Sequence, residues 1–254
     1  MLKVYGHPAS QPSRAVIWAC VINGLPIELH PDPSVITGVN PRGQIPAIDD
    51  GGFVLSEMPA ILAYLADKYG WEDLYPIDLQ VRARINSYLH GHHCLARLLT
   101  MRLMAPNVLV AFGGLPSANP LSFVNNTCIQ ESMSNTNGLA EGQALANQVI
   151  DYIEENYLSN NVFLSATEHP TISDIACYEE ISQLAPSNLL DFSGKHQITS
   201  WMKRMQKLPH HDSLHRFNFA LGDIKTESNT MERFVSAIGE SMNELTKLDG
   251  VVLA

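Results

Sequence analysis

Leu2-Lys3-Val4-Tyr5-Gly6-His7-Pro8-Ala9-Ser10-Gln11-Pro12-Ser13-Arg14-Ala15 is the stretch on which the fold reading turns. Leu2 to Tyr5 reads as a short apolar strand. Pro12 to Asn23 reads as a helix. Proline suits a first helical turn, where an N–H would go unpaired anyway, the apolar run Ala15–Ile22 follows, and Gly24 stands where a helix should stop. Ser10 falls directly ahead of that helix. A hydroxyl there lies close to unsatisfied N–H groups and the positive helix end. Strand, polar loop and helix in this order open an α/β unit.

The pattern continues outward. Ile27 to His30 is a second strand candidate and Ile45 to Ile48 a third. Asp50-Gly51-Gly52 is a hairpin turn signal leading to Phe53–Leu55, a fourth. Pro59 then opens a helix with Ile61, Leu62, Tyr64 and Leu65 that closes near Gly70. The order βαβ…ββα describes a small α/β sandwich. From Leu79 the texture is helical, with one helix predicted from Val81 to about Met104. A Gly/Pro-rich break at Gly113–Pro120 separates it from a second, from about Leu121 to Tyr157. Thr171-Ile172-Ser173-Asp174 resembles a capping box with Asp in the usual Glu/Gln place, starting a helix through Leu184. Another spans about Ile198–Leu208, before Pro209. Beyond Gly222, Phe234, Val235, Ile238, Met242 and Leu245 recur at helical spacing and predict a C-terminal amphipathic helix.

The 254 residues are 45% hydrophobic, an ordinary globular composition, with a formal charge of −10 and no cluster of Lys and Arg. That balance argues against nucleic acid as a partner. The four cysteines are scattered and form no Cys-x-x-Cys pair, which argues against a disulfide framework, an all-cysteine zinc site and a dithiol redox motif. No apolar run approaches the roughly 20 residues of a membrane helix, and the first residues lack a signal-peptide pattern. The expectation is a cytoplasmic protein with no membrane partner. His90, His93 and Cys94 have the i, i+3, i+4 spacing that metal ligation can use, but no second cluster accompanies them; a pocket or interface wall is the preferred reading, and no metal is expected. His210-His211 reads as a solvated loop.

Several motifs together resemble one family. Val4 to Ala15 resembles the first strand–loop–helix of serine-type glutathione transferases: Ser10-Gln11-Pro12-Ser13-Arg14-Ala15 is similar to the theta class, and Gly6-His7-Pro8-Ala9-Ser10 to the phi class. Asn40-Pro41-Arg42-Gly43-Gln44-Ile45-Pro46-Ala47 resembles the segment carrying the family's cis-proline. Leu55 to Leu65 resembles its Glu-Ser glutathione motif, except that Met58 stands in place of the serine. Tyr75-Pro76, Arg82–Ile85 and the Thr171–Asp174 box also have counterparts. The likeness covers about residues 1–222.

The resemblance implies a thioredoxin-like glutathione-binding domain over 1–76, an all-helical domain with an electrophile pocket over 77–222, and an extension over 223–254. It implies a cytoplasmic homodimer with glutathione as co-substrate, attacking a small hydrophobic electrophile. Ser10 would donate a hydrogen bond to the thiolate; Gln44, Ile45, Pro46, Glu57 and Met58 would hold the tripeptide; Arg14 and Ser13 would support the site from behind. The chemistry is of adequate size. A thiol of pKa about 8.5 lowered by about two units requires about 2.7 kcal/mol of thiolate stabilisation, and one charge-assisted hydrogen bond supplies about 1.5–3 kcal/mol. Read without its neighbours, Ser10 is a helix N-cap. Met58 lacks a hydroxyl, and only ten residues, His30–Val39, separate Leu29 from Asn40. Both departures motivate an alternative: a catalytically weak or inactive module of the same fold that binds ligands or proteins. A glutaredoxin- or omega-like thiol oxidoreductase would need a cysteine where Ser10 stands.

Overall fold

The computed structural model describes residues 1–111, 137–225 and 229–254. Strand β1 (Leu2–Tyr5) leads through the Gly6–Ser10 loop into α1 (Gln11–Ile22), which stops at Asn23 before Gly24 at φ +64°. Then come β2 (Ile27–His30), a 3₁₀ turn (Pro33–Val35), the one-turn helix α2 (Ile36–Val39), the hairpin β3 (Ala47–Asp50) and β4 (Phe53–Ser56), and α3 (Met58–Tyr69). The third strand begins two residues later than predicted, because Pro46 has no N–H to contribute to a ladder. Glycines carry the positive φ angles at the hairpin turn (Gly51, Gly52) and at the end of α3 (Gly70), where a Cβ would be strained.

The helical half opens with α4 (Leu79–Gly91), capped by Asp78. The predicted continuous helix to Met104 does not form. A 3₁₀ turn (His92–Cys94) and an irregular Leu95 at φ −129°, ψ −103° interrupt it before a π-helical turn (Leu99–Met104) and α5 (Ala105–Ala111). The whole run Leu79–Ala111 is nevertheless long and apolar enough to cross a membrane by length and composition, contrary to the sequence expectation; half of its most apolar stretch is buried in the protein. The Gly113–Pro120 break and the start of the second long helix lie outside the described residues. That helix is seen as α6 (Gly138–Asn156). Its Gly142 lets two backbones meet, since a Cβ there would collide with the Arg102 carbonyl oxygen.

Helix α7 (Ile172–Ile181) starts at the predicted capping box. All ten of its residues are buried. Asp174 accepts hydrogen bonds from the Leu164 and Thr171 N–H groups and from Trp201 Nε1. The chain ends with α8 (His196–Met205), the short α9 (His211–Leu214) and α10 (Arg216–Leu221), the amphipathic α11 (Met231–Leu245) and a strand the sequence reading did not foresee, β5 (Val251–Leu253).

The sheet order is β4-β3-β1-β2-β5. β1 pairs parallel to β2 and antiparallel to β3, and β5 lies parallel to β2, covering what would otherwise be an exposed edge. Ile27 N–H donates to the Gly250 carbonyl at 2.8 Å and Ala254 N–H to the Leu29 carbonyl at 3.0 Å. The tail thus fastens the helical half back onto the sheet. One continuous apolar core joins the two halves, with Val4, Trp18 and Leu62 in the same cluster as Ile85, Tyr178 and Trp201.

Candidate functional site

Strand register decides where the sequence-predicted residues meet. His30, Tyr5, Ala47 and Ser56 form one row across β2, β1, β3 and β4. Beyond that row the chain continues as Gly6–Ser10 after β1, arrives as Ile45-Pro46 before β3, and leaves as Glu57-Met58 after β4. All the motif residues therefore collect at one end of the sheet.

Ser10 is the N-cap of α1, with φ −90° and ψ 119°. Its oxygen accepts the Ser13 N–H at 3.4 Å, leaving its own proton free to donate. Its backbone N–H donates to the His7 carbonyl at 2.9 Å. His7, which the sequence reading left without a role, shapes this loop as well: its Nδ1 accepts the Ala9 N–H at 3.2 Å. Burial lowers the His7 imidazole from 6.5 to about 4, so at neutral pH the ring is uncharged with its proton on Nε2. Ser13 is fully buried and packs against Gly6, where a Cβ would approach Ser13 Oγ to 2.9 Å. Arg14, also fully buried, spans two regions. Its Nη1 donates to the Pro8 carbonyl at 2.8 Å and its Nε to Glu179 Oε2 at 2.7 Å.

On the opposite strands, the Ile45-Pro46 peptide is cis. The buried Asn40 organises the loop ahead of it, its Nδ2 donating to the Gln44 carbonyl at 2.7 Å and its Oδ1 accepting the Arg42 N–H at 3.1 Å. The Gln44 side chain is exposed. Glu57 turns the chain into α3 with φ +74°, a conformation that non-glycine residues rarely hold and that concentrates at functional sites. Its exposed carboxylate meets Arg42 Nη1 at 3.0 Å and His93 Nε2 at 3.9 Å. Met58 is 3% exposed, its side chain packed into the core. No side chain caps α3, so the helix start keeps the Met58 and Ala60 N–H groups that an anion can use.

Behind the loop lies a buried polar seam joining α1 to the helical half. Gln11 donates to Gln183 Oε1 at 2.6 Å and accepts from Arg97 at 3.1 Å. Arg97 pairs with Glu180 at 2.9 Å, and Glu180 also accepts from Thr100 and faces His92 Nε2 at 3.6 Å. Glu179 is held by Arg14 and by His215 Nε2 at 3.2 Å. Burial alone would raise both carboxyls, but the attraction and hydrogen bonds of these partners outweigh it and hold them below the usual range. The sequence reading missed Arg97, Glu179 and Glu180; two adjacent glutamates inside a largely apolar helix were the available signal.

The histidines settle differently from expectation in one place. His211, read as a solvated loop residue, is 6% exposed and stacks on His215 with ring centroids 4.3 Å apart, drawn inward by the Trp18 and Tyr178 rings. His90 Nδ1 turns back to the Asn86 carbonyl, whereas His93 faces Glu57, so the spaced His90, His93 and Cys94 do not converge. Among the described residues no group of three His, Cys, Asp or Glu side chains is placed to hold a metal. Cys20 and Cys177 are buried thiols, pushed up by that burial, and Cys94 is exposed.

A thioredoxin-like sheet with a cis-proline loop, joined to a helical half, defines the class of fold. Comparison supplies the family. The family model "Glutathione S-transferase, N-terminal domain" matches residues 4–73. Glutathione S-transferase T1 of Arabidopsis thaliana is 31% identical over 238 residues, 86% of this chain and 89% of that protein. Human glutathione S-transferase theta-2B is 30% identical over 215 residues, 81% of this chain and 80% of its own length. Glutathione S-transferase T3 of A. thaliana is longer: a 31% identical match over 87% of this chain takes in 38% of it. Among solved structures, apo human glutathione S-transferase T1-1 superposes with a TM-score of 0.74 at 24% identity, covering 98% of this chain and 99% of that one. Human glutathione transferase theta-2, in complex with glutathione and an unknown ligand, gives 0.69 at 25% identity over 95% of this chain and 99% of that one. The chain belongs to the glutathione S-transferase family, and its relatives here are of the theta class.

Proposed function

We propose that this protein is a theta-like glutathione transferase in which Ser10 donates its hydroxyl hydrogen bond to the glutathione thiolate, and the thiolate attacks a small apolar electrophile. The observation that carries the reading is the gathering, at one end of the sheet, of a capping serine with its proton free, a cis Ile45-Pro46 peptide and the uncapped start of α3 beside Glu57. In this reading the backbone around Ile45-Pro46 pairs with the cysteinyl unit, Glu57 accepts the γ-glutamyl ammonium, and the Met58 N–H holds its carboxylate with no hydroxyl to help. Gln44 lies at the exposed rim, where its side chain can reach the ligand. Arg14 positions the Pro8–Ser10 loop, and Ser13 is a packing residue. Residues 1–76 bind glutathione, 77–222 receive the electrophile, and 223–254 tie the two together. The protein works as a cytosolic homodimer, which light scattering would report as about twice 28.0 kDa.

The alternative of an inactive module is not favoured, since the relatives are named as transferases over most of their length. The test is conjugation kinetics with Ser10→Ala. A thiol pKa restored from about 6.5 to about 8.5 lowers the thiolate fraction of bound glutathione at pH 7, and with it kcat, by about 25-fold. Glutathione affinity at pH 7 should fall only about fourfold, the part of the thiolate stabilisation that is expressed in binding at that pH. Unchanged activity would remove Ser10 from the mechanism, and absence of binding at millimolar glutathione would remove the enzyme reading altogether.

A further inference from the structure

The residue that follows Ser10 is held by a closed circuit of side chains. Gln11 opens α1, immediately after the capping serine. Its Oε1 accepts from Arg97 Nη1 at 3.1 Å, and its Nε2 donates to Gln183 Oε1 at 2.6 Å. Gln183 Nε2 donates in turn to Thr100 Oγ1 at 2.6 Å and to the Glu180 carbonyl at 3.1 Å. Thr100 gives its own proton to Glu180 Oε2, and Glu180 Oε1 receives Arg97 Nη1 at 2.9 Å, which closes the ring. His92 Nε2 faces the same Glu180 oxygen at 3.6 Å. Gln11, Thr100, Glu180 and Gln183 are buried, and the Arg97 side chain is 15% exposed.

The two charged members fix which way every amide points. A guanidinium only donates and a carboxylate only accepts. Arg97 therefore demands Gln11 Oε1, which turns the Gln11 NH2 toward Gln183 Oε1. Thr100 has one proton and gives it to the carboxylate, so toward Gln183 it can only accept. The Glu180 carbonyl makes the same demand of that NH2 group. Flipping either glutamine would set acceptor against acceptor and donor against donor, so the orientation does not rest on an arbitrary choice of amide rotamer. A buried network in which each member is satisfied is rigid. On the other side of Ser10, Arg14 Nη1 holds the Pro8 carbonyl. The serine is thus gripped from both sides, by Glu179 through Arg14 and by Glu180 and Gln183 through the circuit.

Resting on the reading of Ser10 as thiolate donor, we propose that Gln183 is a positioning residue for the reaction: through Gln11, 172 positions away in sequence, it holds the start of α1 so that the Ser10 hydroxyl is already aimed when glutathione arrives. A donor fixed in advance stabilises the anion without reorganising. A hydroxyl on a loosened helix start still donates, but part of its hydrogen bond is spent on being oriented, so the thiol loses part of its acidity rather than all of it.

The test reads the pKa of the bound thiol, from the thiolate absorbance of glutathione on the full-length protein titrated with pH, and follows kcat over the same range. Gln183→Leu should raise that pKa by about half a unit to one unit and lower kcat at pH 7 by about 1.5-fold to 3-fold, with kcat restored near pH 9, where the thiol is ionised in both proteins. Ser10→Ala sets the full shift of about two units. Adding Gln183→Leu to Ser10→Ala should move the pKa no further, since no hydroxyl is left to aim. Should Gln183→Leu not fold, Thr100→Val and Thr100→Ser take its place. The valine breaks the circuit and should raise the pKa by about half a unit, whereas the serine keeps the hydroxyl and should restore the parental value. A parental pKa in Gln183→Leu, or in Thr100→Val where the first variant does not fold, would overturn the proposal. So would a loss of kcat equal at pH 7 and pH 9, the mark of ordinary structural damage, or a further shift in the double variant. A parental pKa in Ser10→Ala would sink the Ser10 reading itself, and this one with it.

Discussion

Glu57 in the sheet half and the Glu179–Glu180 pair in the helical half are carboxylates treated in opposite ways. Glu57 sits on a strained backbone, nearly half exposed, with an exposed arginine at 3.0 Å and a histidine at 3.9 Å. Glu179 and Glu180 are 1% exposed, lie on regular helix, and each has an arginine and a histidine against it. Exposed ion pairs contribute about 0–1 kcal/mol, so the Glu57 carboxylate is only weakly tied to its neighbours, as the proposed capture of an ammonium requires. A buried pair is different: its members have lost their water, and each depends on the other. The seam therefore ties the loop that carries Ser10 to the helical half through Arg14, whereas the rim carboxylate stays exposed.

The comparison breaks hardest at Glu179. Glu179→Ala strands the buried Arg14 and His215 and should destabilise the protein by about 3–5 kcal/mol, whereas Glu57→Ala should cost about 0.5 kcal/mol or less. Urea unfolding of both variants measures the contrast. Pairing Glu179→Leu with Arg14→Met should recover the Arg14 share of the loss, because that guanidinium is no longer buried without its carboxylate, and only His215 stays stranded. If Glu179→Ala proves as mild as Glu57→Ala, the seam is not what holds the halves in register.

A second contrast lies in pH. The His7 imidazole is depressed to about 4 in the folded chain against 6.5 unfolded. Between those values the unfolded state binds more protons, so stability is complete above about pH 6.5 and declines as pH falls toward 4. The contribution is about 2 kcal/mol after allowing for residual solvent contact. Unfolding midpoints for the parent and His7→Asn, taken at pH 7 and pH 5, isolate it: the variant should lose less stability between the two. Parallel losses would show that other groups carry the acid sensitivity.

How much of this was legible follows from the range of the interactions. The β1–loop–α1 unit, the Gly51-Gly52 turn, the Gly70 stop and the Thr171–Asp174 box are set by neighbours a few residues apart, and each was readable. The break after Gly91 was not, because the apolar spacing runs on through Leu95, Leu98 and Leu99 while the chain turns at Leu95. Strand β5 has only three residues and is a strand because the β2 edge lies beside it. At the site, the types and order of Ser10, Pro46 and Glu57 carried the reading, but Met58 pointing inward and Arg14 reaching Glu179, 165 positions away, depend on packing between distant elements. A readable hint did exist in α7. A helix with apolar residues spread over most of its sides is buried, so the adjacent glutamates within it had to find buried partners.

The smallest effect tests whether strain really accompanies exposure at Glu57. Glycine ordinarily destabilises relative to alanine by about 0.4–1 kcal/mol, through the freedom it adds to the unfolded chain. At φ +74° the sign should invert, since a non-glycine residue there carries about 1–3 kcal/mol of strain that glycine does not. Glu57→Gly should thus be about 1 kcal/mol more stable than Glu57→Ala, by denaturant midpoint. Both lose the carboxylate and should weaken glutathione equally, so that stability separates the two variants while affinity does not. Alanine matching or exceeding glycine would mean that the turn into α3 is relaxed. Glu57 would then be exposed without being strained, and its backbone would have no part in presenting the carboxylate.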